Sequence, residues 1–310
     1  MKLLLVRHGE TVDNVAGLYA GITDSPLTNH GMVQSRKLGR FLCLSENRIE
    51  RIFSSDLQRA YLTAEAISES QKISPAPVVR LALLREKDFG RLERTKISKM
   101  GNILSSDLSV PGSKICFTET VHDPESSMSM RSRAESFINN HLASSLNEVH
   151  ENATIVVVSH GIFLRHLWSE LLKKFPYDKV YVSQTFSKLT DTSLEIFPTW
   201  YNTAYLELCI TRCRDKKTHK STQTSGIYKS MHTTTALQHP ELPLTSFHDD
   251  LTQNESRSIP NNEISNMRLA VISFNRRDHL EGVRKSRSGT GNLKYTPSQR
   301  TMYSYFSKKG

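Results

Sequence analysis

The first residues that could do chemistry form the run Arg7-His8-Gly9-Glu10-Thr11, directly behind the apolar stretch Lys2–Val6. An imidazole held in one tautomer is a competent nucleophile towards phosphorus. A neighbouring guanidinium grips phosphate oxygens as a planar fork. Ser159-His160-Gly161 repeats the arrangement behind a second apolar stretch, Thr154–Val158. A protonated His160 would donate to phosphoryl oxygens, and a helix opening at Gly161 would add backbone donors for an anion. Arg59, within Ser54-Ser55-Asp56-Leu57-Gln58-Arg59-Ala60, offers a second phosphate clamp. Cleaving a phosphate monoester also requires a proton for the departing oxygen. Glu86, within Leu84-Arg85-Glu86-Lys87-Asp88-Phe89-Gly90, is the candidate donor, because a carboxyl group flanking an anion site holds its proton more tightly. Asp88 and Glu10 are rivals that residue order leaves open.

These residues converge only if the elements beneath them are neighbours. Lys2–Val6, Arg51–Phe53, Pro77–Val79, Thr154–Ser159 and Ala204–Ile210 read as short buried strands. Helical patterns lie between them: one capped by Thr28, then Ser55–Ser68, Met130–Leu146 and Gly161–Lys173. Strands alternating with helices imply crossover units and a sheet covered on both faces. Ligands in such sheets sit beyond the carboxyl ends of strands, where His8 and His160 would emerge.

The charge is divided unevenly along the chain. The net charge is +10, of which +9 falls in Thr211–Gly310 and +1 in the residues before it. The expected organisation is a catalytic domain over 1–211, a polar linker over 212–266 that is disordered for want of apolar residues, and a basic tail over 267–310. An alternative is that Met267–Phe274 and the terminal aromatics fold back onto the domain. No apolar run approaches the roughly 20 residues that span a bilayer. The opening apolar run ends at Arg7 and is shorter than the roughly 7–15 residues of a signal-peptide core. Cys43, Cys116, Cys209 and Cys213 show no CxxC spacing, so reduced thiols in the cytoplasm or nucleus are expected; Cys209 and Cys213 could also share a metal site.

RHGET, Gly21–Gly31 (GxxDxPLTxxG), Ser54–Ala64 (SSDLxRAxxTA), LREKDFGRLE and VVSHGIFLRHL, in that order, resemble the histidine phosphatase, or phosphoglycerate mutase-like, superfamily over the first two thirds of the chain. The resemblance implies a three-layer α/β/α fold with a mostly parallel central sheet, followed here by a partly disordered C-terminal extension similar to that of fungal members. It implies His8 as the phosphorylated nucleophile, Arg7, Arg59 and His160 around the phosphate, and Glu86 as the proton donor. Asn14, Thr11, Thr23 and the backbone at Gly161 fall where phosphate or substrate contacts are usual, and Asn202-Thr203 matches a late Asn-Thr pair. No metal or other cofactor is implied, and the partner is a small phosphorylated substrate. Two departures favour a phosphatase over a mutase. Val12 and Asp13 stand where mutases carry a tryptophan, and the segment between Glu93 and Glu125 lacks mutase features. Arg94 stands where the family often has glycine.

In the tail, Gln299, Met302, Tyr305 and Phe306 fit a short motif resembling those that dock on sliding clamps. One helical turn would present the last three as an apolar plug. A pocket that only binds a phosphorylated ligand, with the tail recruiting a partner, is the non-enzymatic alternative. Residue order gives no oligomeric state.

Overall fold

Leu3, Leu4, Leu5 and Val6 are all buried, although successive side chains of a strand point to opposite faces. Such a strand belongs in a sheet covered on both sides, and the computed structural model contains one. It describes residues 1–45, 48–71, 75–97, 122–183, 199–213, 241–243, 264–285 and 289–297. The strands are β1 (Lys2–Arg7), β2 (Arg48–Ser55), β3 (Val78–Leu81), β4 (Ala153–Ser159), β5 (Val180–Ser183), β6 (Tyr205–Arg212), β7 (Glu241–Pro243) and β8 (Met267–Arg276). They form one sheet in the order β3-β2-β4-β1-β6-β8-β5-β7. The run β3-β2-β4-β1 is parallel throughout, as is β8-β5, while β6 and β7 are antiparallel to their neighbours.

The two faces explain the helices. On one side Leu4, Val6, Val156 and Val158 meet Leu38 and Leu42 of α2 (Asn29–Leu44) and Ala60, Ala64 and Ile67 of α3 (Gln58–Glu69). On the other, Leu3, Leu5, Ile155 and Val157 pack with residues of α4 (Ser127–Phe137), α5 (Ala143–Glu148) and α6 (Gly161–Leu172). This is the expected α/β/α sandwich. Thr28 caps α2 as its sequence suggests, its side chain accepting from Gly31 N. The helix expected from Ser55 starts at Gln58 instead, because Ser54 and Ser55 complete β2. A π turn over Ile138–Leu142 links α4 to α5 inside the pattern read as one helix. A short helix, α1 (Val12–Ala16), follows the first motif.

The boundary drawn after residue 211 does not divide the sheet. Met267–Arg276, assigned to the tail on charge, is a strand inserted between β6 and β5, and the fold-back alternative is the correct one for it. Met267, Leu269 and Val271 alternate into the core, which is why the segment cannot stay in solvent. Beyond it, Leu293 O accepts from Asn29 N at 2.9 Å and Tyr295 N donates to Leu27 O at 2.8 Å, tying the chain to the start of α2. Residues 214–240 and 244–263 of the expected linker, Cys116, and the clamp-like motif Gln299, Met302, Tyr305 and Phe306 lie outside the described residues. Among the described residues no helix is long and apolar enough to cross a membrane. No group of three or more His, Cys, Asp or Glu among them is arranged to hold a metal ion.

Candidate active site

Strand register brings the separate motifs together. β1 and β4 pair in parallel with Arg7 opposite Ser159, so His8 and His160 leave adjacent strands at the same level. Their ring centroids are 5.0 Å apart. β2 lies on the far side of β4, with Ser54 opposite Val158, so α3 starts beside them and delivers Arg59. His8 is 4% exposed, Arg59 1% and His160 not at all.

His8 is held as a neutral nucleophile. Its Nδ1 lies 2.7 Å from the carbonyl oxygen of Gly9, which can only accept, so Nδ1 carries the proton and Nε2 presents its lone pair. Burial, then the charges of Arg59 and Arg7, push its pKa well below the ordinary 6.5. The backbone around it is fixed from several sides. Gly9 N donates to Thr63 Oγ1 at 3.0 Å, and Glu10 N donates to Gln34 Oε1 at 2.9 Å. A side chain at position 9 would bring its Cβ to 2.6 Å from Gly31 O, so only glycine lets α2 approach this closely.

Arg59 binds through a fork. Nη2 donates to Gly21 O at 2.6 Å, Nη1 to Thr23 O at 2.8 Å and Nε to His160 Nδ1 at 3.2 Å. The last bond corrects the expectation of a protonated His160. Its Nδ1 is an acceptor, its pKa is driven well below 6.5 by burial and then by Arg59, and the neutral ring donates from Nε2. That Nε2 is buried without a partner, as is Nε of Arg7. Arg7 donates from Nη1 to Trp200 O. Neither guanidinium is ion-paired to a carboxylate among the described residues, although Arg59 is buried and Arg7 half-buried and desolvation lowers both pKa values, Arg59 to about 10. Isolated buried charge is costly. Two cations without carboxylate partners, one of them with an unpartnered Nε–H, beside the unpartnered Nε2–H of His160 make a site complementary to a compact oxyanion.

The carboxylates left open by the sequence separate by geometry. Glu10 accepts from the Thr28 hydroxyl at 2.9 Å and pairs with Lys285 at 2.8 Å. Asp88 is engaged by His122 and Gly90 N, each at 2.7 Å. Glu86 is the one of the three whose charge acts on both Arg7 and Arg59. It accepts from Ile162 N, Phe163 N and Lys87 N at 2.9–3.2 Å, and so occupies the first turn of α6. The anion end of that helix is therefore shared: Glu86 holds two amides, and Gly161, whose added Cβ would lie 3.7 Å from Arg7 Nε, faces the arginine.

Other expected contacts are spent on scaffolding. The Thr11 side chain caps α1 by accepting from Asn14 N, and the Thr23 hydroxyl donates to Glu93. Asn14 Oδ1 accepts from Thr11 N and from Asn202 Nδ2. Glu93, which the sequence shows only as part of a motif, also accepts from Ile22 N at 2.7 Å and Thr23 N at 3.0 Å. It thereby shapes the loop whose carbonyls hold Arg59. The separation of 71 residues hides this from any local pattern. Arg94, following it, has φ +61, the left-handed conformation that explains the usual glycine. Arg94→Gly should raise stability by about 0.5–1 kcal/mol, the relief of left-handed strain minus the greater unfolded-state freedom of glycine. Chemical unfolding would reveal it, and a loss of stability would contradict it.

Buried neutral histidines also set the acid response. His279 joins His8 and His160, its pKa lowered to about 4, chiefly by burial. The unfolded chain takes up a proton on each near pH 6.5, whereas the folded chain does so only at lower pH. Stability is therefore complete above pH 6.5 and falls as the pH drops. His279 alone should remove about 2 kcal/mol by pH 5. Urea unfolding at pH 7.5 and 5 tests this, and equal stability at both would refute it.

A family model described as the histidine phosphatase superfamily, branch 1, matches residues 3–196. A protein of Schizosaccharomyces pombe described as a probable phosphatase is 36% identical over 173 residues, which cover 55% of this chain and 56% of that protein. The chain thus spans little more than half the length of that relative. Phosphoserine phosphatase 1 of Hydrogenobacter thermophilus is 30% identical over 175 residues, covering 56% of this chain and 76% of that one. Among solved structures, one titled as a mycobacterial hydrolase superposes with a TM-score of 0.50 at 22% identity, over 69% of this chain and 92% of its own, a likeness of fold.

Proposed function

Because the chain belongs to branch 1 of the histidine phosphatase superfamily, we propose that it is a metal-independent phosphomonoesterase that hydrolyses a small phosphorylated metabolite through phospho-His8. The observation that carries this reading is the pair of guanidiniums, Arg59 buried and Arg7 half-buried, without carboxylate partners among the described residues and set beside a neutral imidazole whose Nε2 is free to attack. The Nε2 lone pair of His8 forms the bond to phosphorus as the bond to the leaving oxygen breaks. Arg7, Arg59 and the Nε2–H of His160 hold the other phosphoryl oxygens, where charge is greatest. Glu86 gives the departing oxygen its proton. Water then attacks phospho-His8 while Glu86 takes a proton back, releasing inorganic phosphate and restoring the neutral imidazole. Each proton Glu86 carries must occupy a lone pair not engaged by its three N–H donors.

The residues supply every charge these steps require, which supports turnover without a metal. The test is phosphate release from an aryl phosphate with EDTA present, followed by a panel of phosphoserine, phosphoglycerate, sugar phosphates, nucleotides and a phosphopeptide. EDTA-resistant release is expected, with one panel member turned over well above the aryl ester. Transfer to an acceptor in place of release would convert the reading to a mutase. Activity that chelation abolishes would overturn it.

A further inference from the structure

Taking His8 as the nucleophile of the proposed reaction, we propose that His279, in the C-terminal segment beyond the matched family region, is a positioning residue for it. β8 and β1 are both antiparallel to β6, so they run the same way. The carboxyl end of β8 therefore emerges on the edge of the sheet that carries Arg7 and Ser159. The turn that follows places His279 Nε2 2.9 Å from Thr203 Oγ1. That hydroxyl already donates to Asn202 O at 2.8 Å, so it accepts from His279, which donates. Thr203 sits at φ +55, a conformation a β-branched residue avoids and that surrounding contacts must impose. In it, the Thr203 N–H reaches Arg7 O at 3.1 Å and His8 O at 3.2 Å. Asn202, its neighbour, donates from Nδ2 to His8 O at 3.1 Å.

The chain of contact from His279 to the nucleophile's backbone thus has one intermediate residue. The imidazole is itself locked, buried with ring centroids 6.4 Å from Tyr205 and 6.2 Å from Phe41. Filling that space needs only an apolar ring. The hydrogen bond aimed at Thr203, made at the expense of a buried Nδ1 with no partner, marks a directed role. The same segment fastens the other end of the catalytic loop, where Lys285 Nζ lies 2.8 Å from Glu10 Oε2.

The experiment compares wild type, His279→Phe, which keeps the ring and loses the donor, and His279→Gln, which restores an N–H at similar reach. Two readouts are taken: aryl phosphate kinetics with inorganic phosphate as inhibitor, and hydrogen–deuterium exchange of the peptide covering Arg7–Asn14. His279→Phe should lose ~10²-fold in kcat, the scale of a small misplacement of a reacting group. Phosphate inhibition should stay within about 2-fold, because the guanidiniums of Arg7 and Arg59 keep their own hydrogen bonds to Trp200 O and to the carbonyls of Gly21 and Thr23. Exchange of the loop should quicken, and His279→Gln should recover most of both. A Phe variant with wild-type kcat and exchange would overturn the proposal, as would a Gln variant no better than Phe. If His279→Phe does not fold, Thr203→Ala removes the acceptor instead and must give the same signature. A wild type without His8-dependent turnover would end the phosphatase reading, while the exchange comparison would still decide the role of His279.

Discussion

Replacing His8 by alanine removes turnover, by at least about 10⁴-fold, without unfolding the protein. The size follows from what is left behind. Losing a covalent nucleophile forfeits the intermediate itself, and residual rate comes only from the binding groups that remain. Among the described residues no neighbour can take over. His160 is the nearest imidazole, but its Nδ1 is occupied by Arg59 and its Nε2 carries the proton, so it presents no lone pair. The Thr63 hydroxyl donates to Arg59 O at 2.8 Å and accepts from Gly9 N, so it is used in both directions. The structural loss is smaller. Among the described residues His8 makes one side-chain hydrogen bond, to Gly9 O, and an acceptor left unmatched there costs about 1–3 kcal/mol. The variant should therefore keep a cooperative melting transition a few degrees lower. Phosphate trapped on the wild-type protein during turnover should be acid-labile and absent from the variant. More than about 1% of wild-type activity in well-folded His8→Ala would refute nucleophilic catalysis by this residue, since the binding groups alone leave far less.

The parts of this site that local sequence carried were those built from single elements. Strand, histidine, glycine and helix follow each other twice, and the period of each element places His8 and His160 at strand ends. That the two strands are neighbours was a condition the sequence could state but not meet; the Arg7–Ser159 register meets it. What stayed hidden depends on pairs distant in sequence. Glu93 acts on Ile22 and Thr23, and nothing about a glutamate in an exposed-looking motif announces that. β8 was partly visible as an apolar stretch, but net charge is a property of solvated surface and misassigned it to a tail. Its alternation of Met267, Leu269 and Val271 says that one face is buried without saying against what. His160 shows a different limit. Its identity and place were legible, whereas its protonation depends on where the Nε of Arg59 points, which only the assembled site determines.

Arg59 is where catalysis and stability should part most widely. Three of its N–H donors bind Gly21 O, Thr23 O and His160 Nδ1, which leaves two of the guanidinium's five for a phosphoryl oxygen. Arg59→Met keeps most of the stem and deletes all five together with the charge. Losing one preorganised donor typically costs about 10²–10³-fold. Here the same change also frees the tautomer of His160, so about 10³–10⁴-fold in kcat/KM is expected. Stability should change less. Leaving two loop carbonyls without donors costs about 2–6 kcal/mol. Against this, a guanidinium whose pKa burial lowers from 12.5 to about 10 carries a desolvation penalty of about 3 kcal/mol, which methionine does not have. The two offset to within about 3 kcal/mol, so the melting temperature should move by no more than about 10 °C. Arg59→Lys restores the charge but not the fork, since one ammonium cannot reach two carbonyls and an imidazole in their present directions. It should recover less than about a tenth of the activity. If Arg59→Lys proves nearly as active as wild type, the positive charge alone is what the site requires. If Arg59→Met loses activity only in step with unfolding, Arg59 is a structural tie, and the phosphate must be held by Arg7 and His160 without it.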